Sequence, residues 1–207
     1  MSQNVPTHTV GVGTGTPLVN GADQNVTYAT SKDTNTQTII TDGWTNSTTA
    51  IVKAGDVLTF AGCFAVNPVT KATLSHLKEF VVTADANSGA TTGPATITIS
   101  PAMIISGAHQ NASAVPANNA AITLKGTGAG LYPMNMMFTK NAFALVSVPL
   151  VSPPGAVDVS RQSYKGTNVR VIPVYDGTND KSTWRLDVLY GVKCIDERQA
   201  VRVSGTA

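Results

Sequence analysis

Short runs in which apolar and polar residues alternate are the main pattern along this chain. Such alternation is typical of β-strands, because successive side chains of a strand point to opposite faces of a sheet. We predict strands over residues 36–41, 56–63, 80–84, 95–100, 120–125 and 142–148. Turn-forming pairs such as Asn20-Gly21, Asp42-Gly43 and Ser88-Gly89 separate these runs.

One run favours a helix. In residues 70–80 the apolar residues Leu74, Leu77 and Phe80 would lie on one stripe of an α-helix. We therefore predict a short helix there.

The composition supports a mainly β fold. The chain has 28 threonines and many valines and isoleucines, whose branched side chains fit a pleated surface better than a helix. Short strands separated by turns are typical of an antiparallel barrel or sandwich. We predict a barrel over about residues 36–139, with these side chains in its core: Phe60, Val82, Ile97, Ile99, Ile122 and Leu124.

The C-terminal segment differs from the rest. Seven of the chain's 26 acidic and basic residues fall within residues 184–203. A Pro- and Gly-containing linker at 151–155 precedes two predicted strands, 169–174 and 184–192, joined across 175–177. The second strand would have one apolar face (Trp184, Leu186, Val188, Tyr190 and Val192) and an opposite face that carries Arg185, Asp187 and Lys193. A strand with such an apolar face has to pack on another surface.

Composition and charge exclude several classes of protein. A hydrophobic content of 42% excludes a largely disordered chain. With 13% charged residues, a net charge of +2 and no basic run, the chain lacks the pattern of a nucleic-acid-binding protein. Neither an apolar run of membrane-spanning length nor a signal peptide is visible. We expect Cys63 and Cys194, 131 positions apart, to be free thiols.

Candidate catalytic and metal-binding residues form no recognisable motif. The glycine-rich run at 11–16 is not followed by the lysine of a phosphate-binding loop, so we predict that residues 7–22 form a flexible surface loop. His8, His76 and His109 lack metal-ligand spacing, and Asp85 and the pair Asp196-Glu197 have no defined carboxylate partner. We expect no enzyme activity, no metal and no cofactor.

Several stretches resemble, in order, the major coat proteins of tailed phages of the P22 type. These stretches are Pro17-Leu18-Val19-Asn20-Gly21, Asn25-Val26-Thr27, Lys53-Ala54-Gly55-Asp56, Leu58-Thr59-Phe60, Phe80-Val81-Val82, Ile97-Thr98-Ile99-Ser100-Pro101, residues 118–123, Asn141-Ala142-Phe143-Ala144-Leu145, and residues 185–191 with the turn at 198–201. Their order and spacing, more than any single motif, carry the resemblance.

The resemblance implies an antiparallel β-barrel insertion domain plus the C-terminal strands of an HK97-type capsid core. The domains would be residues 1–140 and 141–207. Family members are about twice as long, so we expect this chain to correspond to their C-terminal half, from a truncated or a split gene. The implied role is a self-associating subunit of an icosahedral virion capsid, made in the bacterial host cytoplasm. Its partners would be other coat protein copies and a scaffolding protein during assembly, with neither membrane nor specific nucleic-acid binding.

Six residues are candidate subunit contacts: His8, Asp23, Arg185, Asp187, Lys193 and Arg202. His8 and Asp23 border the predicted loop, and the family uses a long loop of the inserted domain to bridge capsomers. The other four would lie on the charged C-terminal face, where charges set register and specificity; a merely solvated face is an equal alternative for each. The alternative function is a β-rich decoration or adhesion module displayed on a particle surface.

Overall fold

A computed structural model describes residues 5–156 and 158–205. The chain divides into two compact units, with the boundary between Met134 and Asn135. The first, called here the barrel unit, runs to Met134 and includes Ser204 and Gly205; the second, the C-terminal unit, comprises residues 135–203.

Fourteen strands and two short helical segments make up the described chain. The strands are β1 (Thr7–Thr9), β2 (Gly15–Val19), β3 (Gln37–Trp44), β4 (Val57–Val66), β5 (Thr73–Val82), β6 (Ala95–Ser100), β7 (Ile122–Leu124), β8 (Leu131–Phe138), β9 (Phe143–Val148), β10 (Ser160–Tyr164), β11 (Thr167–Asp176), β12 (Lys181–Asp187), β13 (Leu189–Cys194) and β14 (Ala200–Ser204). Helix α1 spans Tyr28–Ser31, and a 3-10 turn spans Glu197–Gln199.

The main element of the barrel unit is a six-stranded antiparallel sheet in the order β2-β3-β6-β5-β4-β7. Its two outer strands meet where Leu18 bridges Ala121 and the Val19 amide donates to the Ala120 carbonyl at 3.0 Å. The sheet is therefore a nearly closed barrel, which leaves few unpaired strand edges.

Alternation along the strands fills the barrel interior. In β6 the side chains of Ala95, Ile97 and Ile99 are buried while those between them are more accessible. The Phe60 and Phe80 rings of β4 and β5 meet edge to face, with centroids 5.4 Å apart. Five of the six predicted core residues are buried; the sixth, Leu124, is partly buried against the same cluster.

Residues 70–80 are not a helix, and that prediction was wrong. They belong largely to β5, which pairs with β4 from Val57↔Val81 to Val66↔Thr73. Pairing on the barrel wall buries Phe80 and Val82 on one face of the strand, whereas Leu74, on the predicted helical stripe, is exposed. Tertiary burial therefore overrides the helical spacing.

The predicted flexible loop at 7–22 is also wrong, because it contains β1 and β2. Val10 and Gly11 are buried, and a Cβ on Gly11 would lie 2.5 Å from the Ile51 carbonyl oxygen. The glycine lets two backbones approach each other closely. The barrel consequently begins at β2, earlier than predicted, and ends at β7.

The C-terminal unit contains small sheets and little interior. One sheet has the order β10-β11-β12, another pairs β13 with β9, and β14 lies beside β8, whose first residues belong to the barrel unit. The single strand predicted at 184–192 is two strands with different partners: Trp184 pairs with Pro173 of β11, whereas Tyr190 pairs with Ser147 of β9.

Candidate subunit-contact surfaces

The apolar side chains of the C-terminal unit are its most distinctive surface. Its only buried hydrophobic residues among those described are Ala142 and Ile172. Exposed large apolar residues of β9 and β13, called here the apolar ribbon, are Phe143, Leu145, Val146, Val148, Leu189, Tyr190 and Val192.

Both faces of the apolar ribbon are exposed. Leu145 and Val146 are consecutive and so point to opposite faces, yet they are 68% and 58% exposed. The predicted apolar face at Trp184 and Leu186 is likewise exposed, at 65% and 69%. The described residues thus leave uncovered the face that, by the resemblance, packs within the subunit of a coat protein.

An ion-pair cluster orders the hairpin formed by β11 and β12. Asp187 accepts hydrogen bonds from Arg170, with Nη2 at 2.6 Å, and from Arg185 Nε at 2.7 Å. These bonds, first those from Arg170, lower the pKa of the Asp187 carboxyl. Arg170 also donates to the Val151 carbonyl oxygen. Among the four charged candidates of the C-terminal unit, the structure brings only Arg185 and Asp187 together.

Lys193 and Arg202 lie apart on β13 and β14, and both are exposed. A second local pair, Arg198 with Asp196, lowers the pKa of Asp196 to about 2, chiefly through the side-chain hydrogen bond. Asp196 is thus held by an arginine, and the side chain of the neighbouring Glu197 lies outside the described part of the chain.

The two candidates of the barrel unit have different environments. Asp23 is exposed, with a backbone φ of 57°. His8 instead contacts Asp56, whose carboxylate oxygen Oδ1 lies 2.6 Å from His8 Nε2. The sequence places Asp56 at the start of the predicted strand 56–63, and no spacing signal links it to a residue 48 positions away.

His76 is exposed, and the described contacts of His109 and Asp85 are with residues outside this set of candidates. His109 stacks on Tyr28 with ring centroids 3.7 Å apart, and Asp85 accepts a hydrogen bond from the Ala54 amide. Within residues 5–156 and 158–205, His, Cys, Asp and Glu side chains form no group of three or more that could hold a metal. Cys63 is buried and Cys194 partly exposed, and both are free. None of the described helices has the length and apolar character needed to span a membrane.

Comparison with known proteins identifies the family. The family model described as P22 coat protein, gene protein 5, matches residues 1–204. The chain belongs to the P22 coat protein family. It is 29% identical over 180 residues to a major capsid protein of Acyrthosiphon pisum secondary endosymbiont phage 1, covering 83% of this chain. Only 42% of that relative's length is spanned.

A solved structure is also similar in sequence. The CUS-3 coat protein I-domain is 28% identical to this chain; the match covers 54% of this chain and 96% of that one, with a TM-score of 0.35.

Proposed function

We propose that this chain is part of a structural subunit of a phage capsid, which assembles with other coat protein copies in the virion and performs no catalysis. Family membership supports the role, and the exposed apolar ribbon is the observation that carries it. Soluble monomers rarely leave large contiguous apolar patches uncovered, so such patches mark sites of association.

The ribbon's geometry supports packing between two layers of protein. A two-stranded sheet is marginally stable on its own, and a sheet that is apolar on both faces is typically covered on both. We propose that further coat-protein segments, from the same subunit or from neighbours, cover these faces. This fits the proposal that residues 141–207 belong to the capsid core.

The barrel's connections support the proposal that residues 1–140 form an inserted domain. Its entry and exit segments, called here the stem, pair antiparallel at Thr7↔Pro133, His8↔Tyr132 and Thr9↔Leu131. A domain whose two ends are adjacent can be inserted into another domain with little disturbance.

Charged residues would then set the register and specificity of contacts that form mainly by burying apolar surface. Asp23, Lys193 and Arg202 are exposed and available to neighbours. Arg185 and Asp187 already bind each other, so they would meet a neighbouring subunit as an ion pair and not as two separate charges. A scaffolding protein is a further proposed partner during assembly, which would follow synthesis in the host cytoplasm.

Light scattering on the purified chain tests this function. We expect small, irregular oligomers that depend on concentration and form through the ribbon. Leu145 and Val192 are cross-strand partners, so the double variant Leu145→Glu/Val192→Glu should shift the chain to monomers. Ile40→Glu, at a residue 52% exposed on the barrel, is the matched control and should not.

Two results would contradict the proposal. One is a wild-type chain that stays monomeric at every concentration and scatters like the double variant. The other is a uniform closed shell of capsid size, which would mean that no further coat-protein segments are needed to cover the ribbon.

A further inference from the structure

The coat function does not explain why the carboxyl group of Asp56 is buried. Its side chain has no exposed surface. It accepts hydrogen bonds from three donors: His8 Nε2 at 2.6 Å, the Lys53 amide at 2.7 Å and the Gly11 amide at 3.0 Å. A carboxylate oxygen can only accept, so the hydrogen bond from His8 requires the tautomer with a proton on Nε2.

Two of these three donors belong to the entry segment of the stem. Lys53 is part of Asp56's own turn, but His8 and Gly11 lie 48 and 45 residues away in sequence. The carboxylate therefore joins the entry segment to the barrel wall at the start of β4.

The stem extends beyond β1 as a continuous ladder. The Met134 amide donates to the Pro6 carbonyl at 2.8 Å, the Val10 amide to the Gly130 carbonyl at 3.0 Å, and the Ala129 amide to the Gly11 carbonyl at 3.1 Å. A segment held at Asp56 thus holds its paired exit segment as well.

The hydrogen bonds to Asp56 should make separation of the stem from the barrel wall energetically unfavourable. Separating the stem from the wall breaks two of the three hydrogen bonds to the carboxylate, and bonds to such a group contribute more than bonds between neutral groups. His8 is mostly buried, with 17% of its side chain exposed, so its bond to Asp56 is weakly screened by solvent.

We propose that Asp56 and His8 form a latch that locks the paired stem to the barrel wall. His8 and Asp56 are positioning residues, and release of His8 loosens the stem while the barrel stays folded. The latch itself does not depend on the coat role; its use, giving an inserted barrel a stiff attachment, rests on the proposed function.

Hydrogen exchange on the purified full chain tests the latch. His8→Ala should speed exchange in residues 5–12 and 128–134 roughly tenfold or more, the effect of losing a hydrogen bond to a charged group. Exchange in β6, residues 95–100, should not change. Thr7→Ala, an exposed neighbour on the same strand, is the control and should leave the stem protected.

The variant His8→Gln distinguishes the loss of the hydrogen bond to Asp56 from a general loss of stability. The glutamine amide can still donate to Asp56, so we expect it to restore most of the stem protection that His8→Ala removes. The proposal is overturned if His8→Ala matches Thr7→Ala, or if exchange rises equally in the stem and in β6. Because exchange is measured without assembly, these outcomes are independent of whether the chain associates through its ribbon.

Discussion

Single residues inside the barrel show how polar groups are tolerated there. Thr41 is fully buried, and its hydroxyl donates to the Ala95 carbonyl while accepting from Trp44 Nε1. No buried side-chain nitrogen or oxygen among the described residues lacks a hydrogen-bond partner. Paired polar groups cost little to bury, so the apolar core remains the main source of stability.

The two cysteines should differ sharply in reactivity. Burial raises the pKa of Cys63 to about 11, although Lys78 nearby partly opposes this shift. Since the thiolate is the reactive form, we expect a disulfide reagent at pH 8 to label only Cys194 in the folded chain and both thiols in denaturant. Cys194→Ser should abolish the labelling of the folded chain. Fast labelling of Cys63 without denaturant would contradict its burial.

Ile99 tests the predicted barrel core. Its side chain has no exposed surface, so Ile99→Ala should lower the free energy of unfolding by about 2–5 kcal/mol through lost burial and a residual cavity. Thr96→Ala, at an exposed position of the same strand, should cost much less. Urea unfolding of both variants makes the comparison, and equal losses would show that the assigned faces of β6 are wrong.

At the scale of elements, alternation predicted strands well where one face is buried. β6 coincides with the predicted run at 95–100, and β4 and β9 lie close to theirs. The pattern failed at β5, where apolar spacing suitable for a helix occurs in a paired strand. It also failed at β12 and β13, which were predicted as one strand although the chain changes its pairing partner at Val188. Pairing partners are distant in sequence, so a local pattern does not contain them.

The hairpin of β11 and β12 should weaken in acid. Its Asp187 carboxyl has a pKa in the folded chain below the value of about 3.9 in unfolded chains. A lowered pKa contributes stability that is fully present above the unfolded value and is lost as pH falls through the folded value.

Carboxyl chemical shifts followed by NMR during an acid titration measure this effect. We expect Asp187 to titrate below its ordinary range, and Arg170→Ala to raise its midpoint more than Arg185→Ala, because Arg170 makes the larger contribution. An unchanged midpoint in Arg170→Ala would contradict the ion pair.

At the scale of the whole molecule, the two units differ in how they bury apolar residues. The core of the barrel unit joins residues from Val19 to Ile122 in one cluster. The C-terminal unit of 135–203 instead leaves most of its large apolar side chains exposed. Burial of apolar area is the dominant favourable term in folding, so the barrel unit should be the more stable of the two.

Dye binding and proteolysis should report this difference. We expect the folded chain to bind an apolar dye, and Leu145→Glu/Val192→Glu to reduce that binding while Ile40→Glu does not.

Limited proteolysis should cut within 135–203 before it cuts the barrel, because opening is easier where few apolar contacts are lost. Cleavage that starts in the barrel strands would contradict this ranking.

The sequence by itself determined the features that depend on local composition and period. Threonine-rich alternation indicated a mainly β chain and most barrel core residues, and the ordered motifs identified the coat protein family. Tertiary structure decided what depends on contacts between distant residues: the strand at 73–82, the close packing at Gly11, the change of partner after Asp187, and the meeting of His8 with Asp56. Asp56 becomes a buried acceptor only because the fold places His8, which is 48 positions away in the sequence, next to it.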